Sequence, residues 1–288
     1  MSKNKKKGLI YTLYIFIATA FFFYVLFPDE VAKKYITNSL INAYPALNVT
    51  IDRIKPTLPP GLQLYNVGLD VKKNSMFGAD RIKIVFGLLS MFQSNKRLIF
   101  KGRSYEGKFK GNIHLKRGNP GRMSMEADIA GIELQKIPIL RNASDRKISG
   151  ILEGKITYDS EKSANPINAR FELSNGSVEI LSPIVPLENL TFKTIETDVD
   201  INEKRINLKR CVFKGHQIDG EISGVITIGE PFGKSVINLS GTVKPQASFF
   251  AELRKTLPAN LLPKKRKLDA GFPIILNGTI DEPGFLLK

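Results

Sequence analysis

Two histidines, one cysteine and one loop are the only parts of this chain whose types and spacing suggest chemistry. His114 lies in GNIHL, His216 in FKGHQ and Cys211 in NLKRCVFKG. None has a second Cys, His or acidic cluster at metal-ligand spacing, so a structural or surface role is expected for each. Gly229-Glu-Pro-Phe-Gly233-Lys234-Ser235 looks like a phosphate loop. It places three residues between its glycines where the motif needs four, and it runs into VINLSG, a strand pattern. Phosphate binding requires a helix there, whose N-terminal amides face the anion. No G-x-S-x-G nucleophile elbow occurs, and triplets such as Asn189-Leu-Thr191 are sequons frequent by chance. The residues therefore predict a non-catalytic protein with no metal and no cofactor.

The elements around these residues begin with Gly8 to Phe27, where no charged residue interrupts the apolar run. At about 1.5 Å per residue such a helix covers the bilayer core of about 30 Å. Lys3, Lys5, Lys6 and Lys7 precede it. Short cationic flanks stay cytoplasmic, so the expectation is a basic tail over 1–7, a transmembrane helix over 8–27 and an exported domain over 28–288. The rival reading is a signal peptide cut after Ala20, which would leave FFFYVLFP as the mature start. Asp29 to Tyr44 then reads as a helix with acids in its first turn, lying on the membrane or, as favoured here, capping the following sheet.

From Leu47 the period becomes two: Val49/Ile51, Leu62/Leu64, Val67/Leu69/Val71 and Ile82/Ile84/Phe86 alternate with polar residues, as half-buried strands do. GLLSMF, 87–92, is too short to assign by period. The rest of the chain repeats itself. YEGKFKGNIHL (105–115), ISGILEGKITY (148–158) and IDGEISGVITI (218–228) share glycine pairs four apart followed by alternating apolar positions. The expected fold is mainly β, a long curved antiparallel sheet with short helices. Gly111, Gly154 and Gly224 are read as equivalent structural glycines where strands bend. Ile113, Ile156, Ile226 and Ile228 are read as lining one apolar face. Gln246 to Leu262 is the one later helix candidate, broken by Pro258.

Lys+Arg 43 against Asp+Glu 27 gives +16, and without the four tail lysines +12 remains. An exported domain does not meet nucleic acid, so anionic lipid head groups or an acidic protein face fit the charge better, with a simply solvated basic surface as the first expectation. The basic residues look spread along the chain apart from Lys264, Lys265, Arg266 and Lys267. A single cysteine excludes an intramolecular disulfide, so packing alone must stabilise the domain.

An N-terminal anchor, a short helix, the opening NVTIDRIKPTLPPGLQLYNVGLDV and the closing IILNGTIDEPGF together resemble the AsmA-like proteins. Within them, the length and layout are most similar to the type II secretion system protein N group, GspN. The resemblance implies an inner-membrane protein with a periplasmic, groove-forming sheet, an accessory that works with other type II secretion components. Larger AsmA-like relatives imply the alternative: lipid binding or transfer, with phospholipid held in the groove. Neither implies a catalytic residue.

Overall fold

Long alternating runs separated by turn residues give strands that pair with their sequence neighbours, because a short connection leaves antiparallel pairing as the accessible geometry. The computed structural model describes residues 3–43, 45, 47–71, 74–87, 96–115, 122–143, 147–162, 166–179, 188–253 and 271–287. Helices α1 (Lys3–Val25) and α2 (Asp29–Ala43) lead into strands β1 (Leu47–Thr57), β2 (Gly61–Val71), β3 (Asn74–Phe86), β4 (Lys96–Ser104), β5 (Gly107–Leu115) and β6 (Met123–Glu133). After α3 (Pro138–Ala143) come β7 (Ile148–Asp159), β8 (Ile167–Glu179), β9 (Asn189–Ile201), β10 (Arg205–Gly215), β11 (Ile218–Thr227) and β12 (Val236–Pro245). Helix α4 (Ala247–Leu253), β13 (Phe272–Thr279) and β14 (Pro283–Leu287) complete the chain. All 14 strands form one open antiparallel sheet in sequence order.

Helix α2 packs on β1 through Ala32, Ile36 and Leu40, which cover Val49, Ile51, Ile54, Leu64 and Val67. In β1 the alternation changes phase. Ile51 and Ile54 are both buried, Asp52 and Arg53 between them are exposed, and Asp52, Asn66 and Asp80 drop out of the pairing of β1, β2 and β3. Asn66 carries a φ of +48° there. Further register shifts fall between Ile129 and Ile132, Ser149 and Ile151, and Leu208 and Cys211. Such irregularities bend and twist strands. Gly111 and Gly154 sit in regular register with ordinary φ, apart from these irregularities.

The β4–β5 hairpin turns on two residues, Tyr105 and Glu106, with φ of +48° and +65°. That is the twist-matched turn glycine and asparagine favour. Here non-glycine residues are held by outside contacts. Tyr105 meets Phe77 edge-on at 6.5 Å, and Lys136 Nζ lies 2.8 Å from Glu106 Oε1. This ties the segment after β6 over the hairpin, and α3 continues back to β3.

The expected membrane-spanning helix is not supported by the described residues: among them no helix is long and apolar enough to cross a membrane. The Gln246–Leu262 helix is described only as α4, and Lys264–Lys267 and residues 88–92 lie outside the described residues.

One carboxylate in the sheet is almost fully buried. Asp200 is 7% exposed, and its Oδ1 lies 2.8 Å from Lys209 Nζ at the β10 irregularity. The hydrogen bond to Asp200 holds the Lys209 ammonium above the usual lysine range. A raised lysine stabilises the fold at neutral pH and loses that contribution as pH rises through its folded value. Lys209→Met is expected to lower the urea midpoint by stranding Asp200, and Lys209→Met/Asp200→Asn to recover most of the loss. Equilibrium denaturation of the three variants checks this.

Candidate functional site

The strand registers line up one face of the sheet into cross-strand rows. One row runs through every strand: Pro56, Leu62, Ile84, Phe100, Gly111, Ala127, Ile156, Ala169, Val199, Leu208, Gly224, Leu239, Leu276 and Phe285. No residue in it is polar. The neighbouring row, from Ile54 to Leu287 through Gly154, Phe171, Cys211 and Ile222, has Thr197 as its one hydroxyl. A third row joins Ile113, Met125, Tyr158, Ile167, Ile201, Ile206, Ile226 and Ile237. The opposite face carries Lys, Arg, Asp, Glu, Asn and Ser in the intervening positions.

Gly111, Ile156 and Gly224 thus share a row, Ile113 and Ile226 share another, and Gly154 lies one row away. Gly154 is not equivalent to the other two glycines: it stands in the row of Phe109, Ile129 and Phe171, while Ile156, two residues on, stands in the row of Gly111 and Gly224. Ile228 lies just past the end of β11, where its N–H donates to Lys204 O at 2.8 Å, so it has no place in the rows.

Glycine and bulk alternate across this face for a steric reason. Phe109 lies over Gly102, Phe100 over Gly111, Phe171 over Gly154, Phe213 over Gly220, Leu239 over Gly224 and Ile222 over Gly241, and each covering residue is the glycine's direct cross-strand partner. A Cβ on Gly111 would come within 2.5 Å of Phe100 Cζ, and one on Gly154 within 2.6 Å of Phe171 Cδ1. The rings also meet one another: Phe100 and Phe109 are tilted with centroids 6.3 Å apart, and Phe77 with Phe109 at 6.0 Å and Phe192 with Phe213 at 5.8 Å meet edge to face.

Burial along the face is uneven. Ala169, Val199, Leu208 and Leu239 are buried, ringed by half-buried Ile156, Phe171, Ile206, Ile222, Ile226 and Leu276 of the same face. Helix α2 lies over the first strands only. Among the described elements no second sheet packs on the apolar face of β7–β14. Half-exposed apolar area of this extent, rimmed by polar residues, marks a surface that meets an apolar partner.

The residues singled out for chemistry do not converge. His114 is exposed on β5, paired in register with Arg97 and Ser124 on the polar face. His216 is exposed beyond β10, where its carbonyl accepts from Ser248 Oγ. No group of three or more His, Cys, Asp or Glu could hold a metal among the described residues. The Gly229–Ser235 loop forms a short 3-10 turn over Phe232–Lys234 and enters β12. Its Ser235 Oγ is turned inward, donating to Phe232 O at 2.6 Å and accepting from Gly229 N at 3.0 Å.

Cys211 sits on the apolar face, with Thr197 Oγ1 donating to its Sγ at 3.6 Å. Burial pushes its thiol up, and the Thr197 hydroxyl offsets part of that. The nucleophilic thiolate is then scarce at neutral pH. Labelling by a thiol-specific reagent at pH 7.5 is expected to run at least tenfold slower on the folded chain than in denaturant, and to accelerate as pH rises.

No family model matches the chain, and neither a curated protein nor a solved structure matches it.

Proposed function

We propose that the protein is a non-catalytic, membrane-anchored envelope protein whose apolar sheet face forms a trough for the acyl chains of lipid. One observation carries this reading: the row from Pro56 to Phe285, apolar or glycine at every position, over a face that no second sheet covers among the described elements. An acyl chain asks only for continuous apolar surface, and the rows supply it across the strands beyond those that helix α2 covers. The anchor part rests on the uncharged run Gly8–Phe27 behind four lysines, and on the wide exposure of Ile10, Leu13, Ile17 and Phe21 in α1. It puts the protein in the inner membrane with its C-terminal domain in the periplasm. The curvature of the sheet into an AsmA-like groove belongs to the same proposal.

A photoactivatable residue tests it in cells. Placed at Ile226, it is expected to crosslink to lipid, and placed at Val225, the next residue on the opposite face, it is not. Equal labelling at both positions overturns the trough.

A second reading, an accessory of type II secretion, follows from the resemblance to the GspN group and draws support from the edge of β14, which no other described strand pairs. Phe285 is 71% exposed and Leu286 54%, and an unpaired edge strand is a template for a partner's strand. The expected partners are then other secretion components. Leu286→Pro should release them without disturbing lipid.

A further inference from the structure

The basic charge is not spread evenly. Residues 47–115 hold 12 Lys and Arg against 4 Asp and Glu, whereas residues 122–250 hold 16 against 17. Strand register concentrates the excess further, on the polar face opposite the proposed trough. Arg81, Arg103 and Lys108 stand directly across from one another in β3, β4 and β5. Lys83, Lys101 and Lys110 do the same two residues along. With strands about 4.8 Å apart and about 3.3 Å per residue, the six positions make a grid roughly 10 Å by 7 Å.

Like charges directly opposite one another oppose pairing. None of the six makes an ion pair with a described carboxylate. Arg81 lies over the Tyr65 ring at 5.6 Å, and Lys83 donates to Leu58 O at 3.1 Å. An open cleft of about 610 Å³ lies over the grid, and Asp128, opposite Lys110 in β6, is the one carboxylate lining it. The second cleft of similar size, over β7–β10, is different. Its cations have acidic partners: Arg170 lies 3.4 Å from Asp198, and Arg210 3.2 Å from Glu221.

We infer that the β3–β5 grid is a binding site for a ligand bearing two or more phosphate groups. Guanidinium and ammonium donors in two short rows fit several anionic oxygens held close together, and a bound polyanion removes the repulsion between the rows. The shared chemistry is the phosphate cluster. It comes from a lipid head group or from a soluble polyphosphate.

The test titrates the full chain, held in an uncharged detergent, with sodium tripolyphosphate. In parallel the chain is bound to phosphatidylcholine nanodiscs with and without cardiolipin, a lipid with two phosphates. The variant is Lys101→Gln/Lys108→Gln/Lys110→Gln, three exposed positions. The control is Lys193→Gln/Lys214→Gln/Lys244→Gln, the same charge change elsewhere on the sheet. Tripolyphosphate binding that weakens about a hundredfold in the variant and within twofold in the control supports the site. Binding of the cardiolipin discs alone, with the same loss, supports it with lipid as the source. Failure of both probes, equal loss in the control, or equal affinity for polyglutamate overturns it. Loss of lipid from the apolar face would leave all of these outcomes unchanged.

Discussion

Gly224→Val is expected to lower the melting temperature by about 10 °C or to leave the chain insoluble. Two effects add at this position. Its φ of +142° is one that side-chain-bearing residues rarely adopt, and a Cβ would come 2.9 Å from Leu239 Cα while also meeting Asn238 O. Backbone strain of about 1–3 kcal/mol combines with a clash against main chain that cannot move without breaking the β11–β12 ladder. For a domain of this size each kcal/mol shifts the midpoint by about 2–4 °C. Gly131→Ala is the control. Its φ is +71°, but the nearest atom to a Cβ there is 4.0 Å away, so only the conformational term of about 1 kcal/mol applies. Thermal unfolding followed by circular dichroism ranks the pair. Equal midpoints would remove the steric account of the rows.

Strand alternation was plain in the sequence, and so was the mainly β fold. What the sequence hid lies in the register. Ile51-Asp52-Arg53-Ile54 breaks the period of two, yet both isoleucines are buried, because the strand changes phase beside Asn66 and Asp80. The repeats suggested that Gly111, Gly154 and Gly224 were equivalent. The pairing instead puts Ile156, two residues past Gly154, in the row of Gly111 and Gly224. At each of these glycines the ring or aliphatic chain of the direct cross-strand partner occupies the place a Cβ would take. The basic grid has a signal in the sequence: R-x-K at 81–83, K-x-R at 101–103 and K-x-K at 108–110 place cations on one face of three successive strands. Only the pairing shows that they stand abreast.

The other large effect concerns the apolar face itself. Ile226 is half-buried among Ile201, Ile206 and Ile237, and its substitution separates a surface that holds lipid from one that merely packs on itself. Ile226→Glu is expected to keep the sheet folded at a cost of about 1–3 kcal/mol and to cut lipid occupancy by tenfold or more. Val225→Glu, facing the other way between Asn207 and Asn238, should leave occupancy unchanged.

The most direct measurement is the lipid carried by the unmodified full chain. After purification in a detergent exchanged to exhaustion, organic extraction and mass spectrometry are expected to find at least one phospholipid per chain, falling to background in Ile226→Glu and not in Val225→Glu. A wild-type chain that is folded and carries no lipid would contradict the trough.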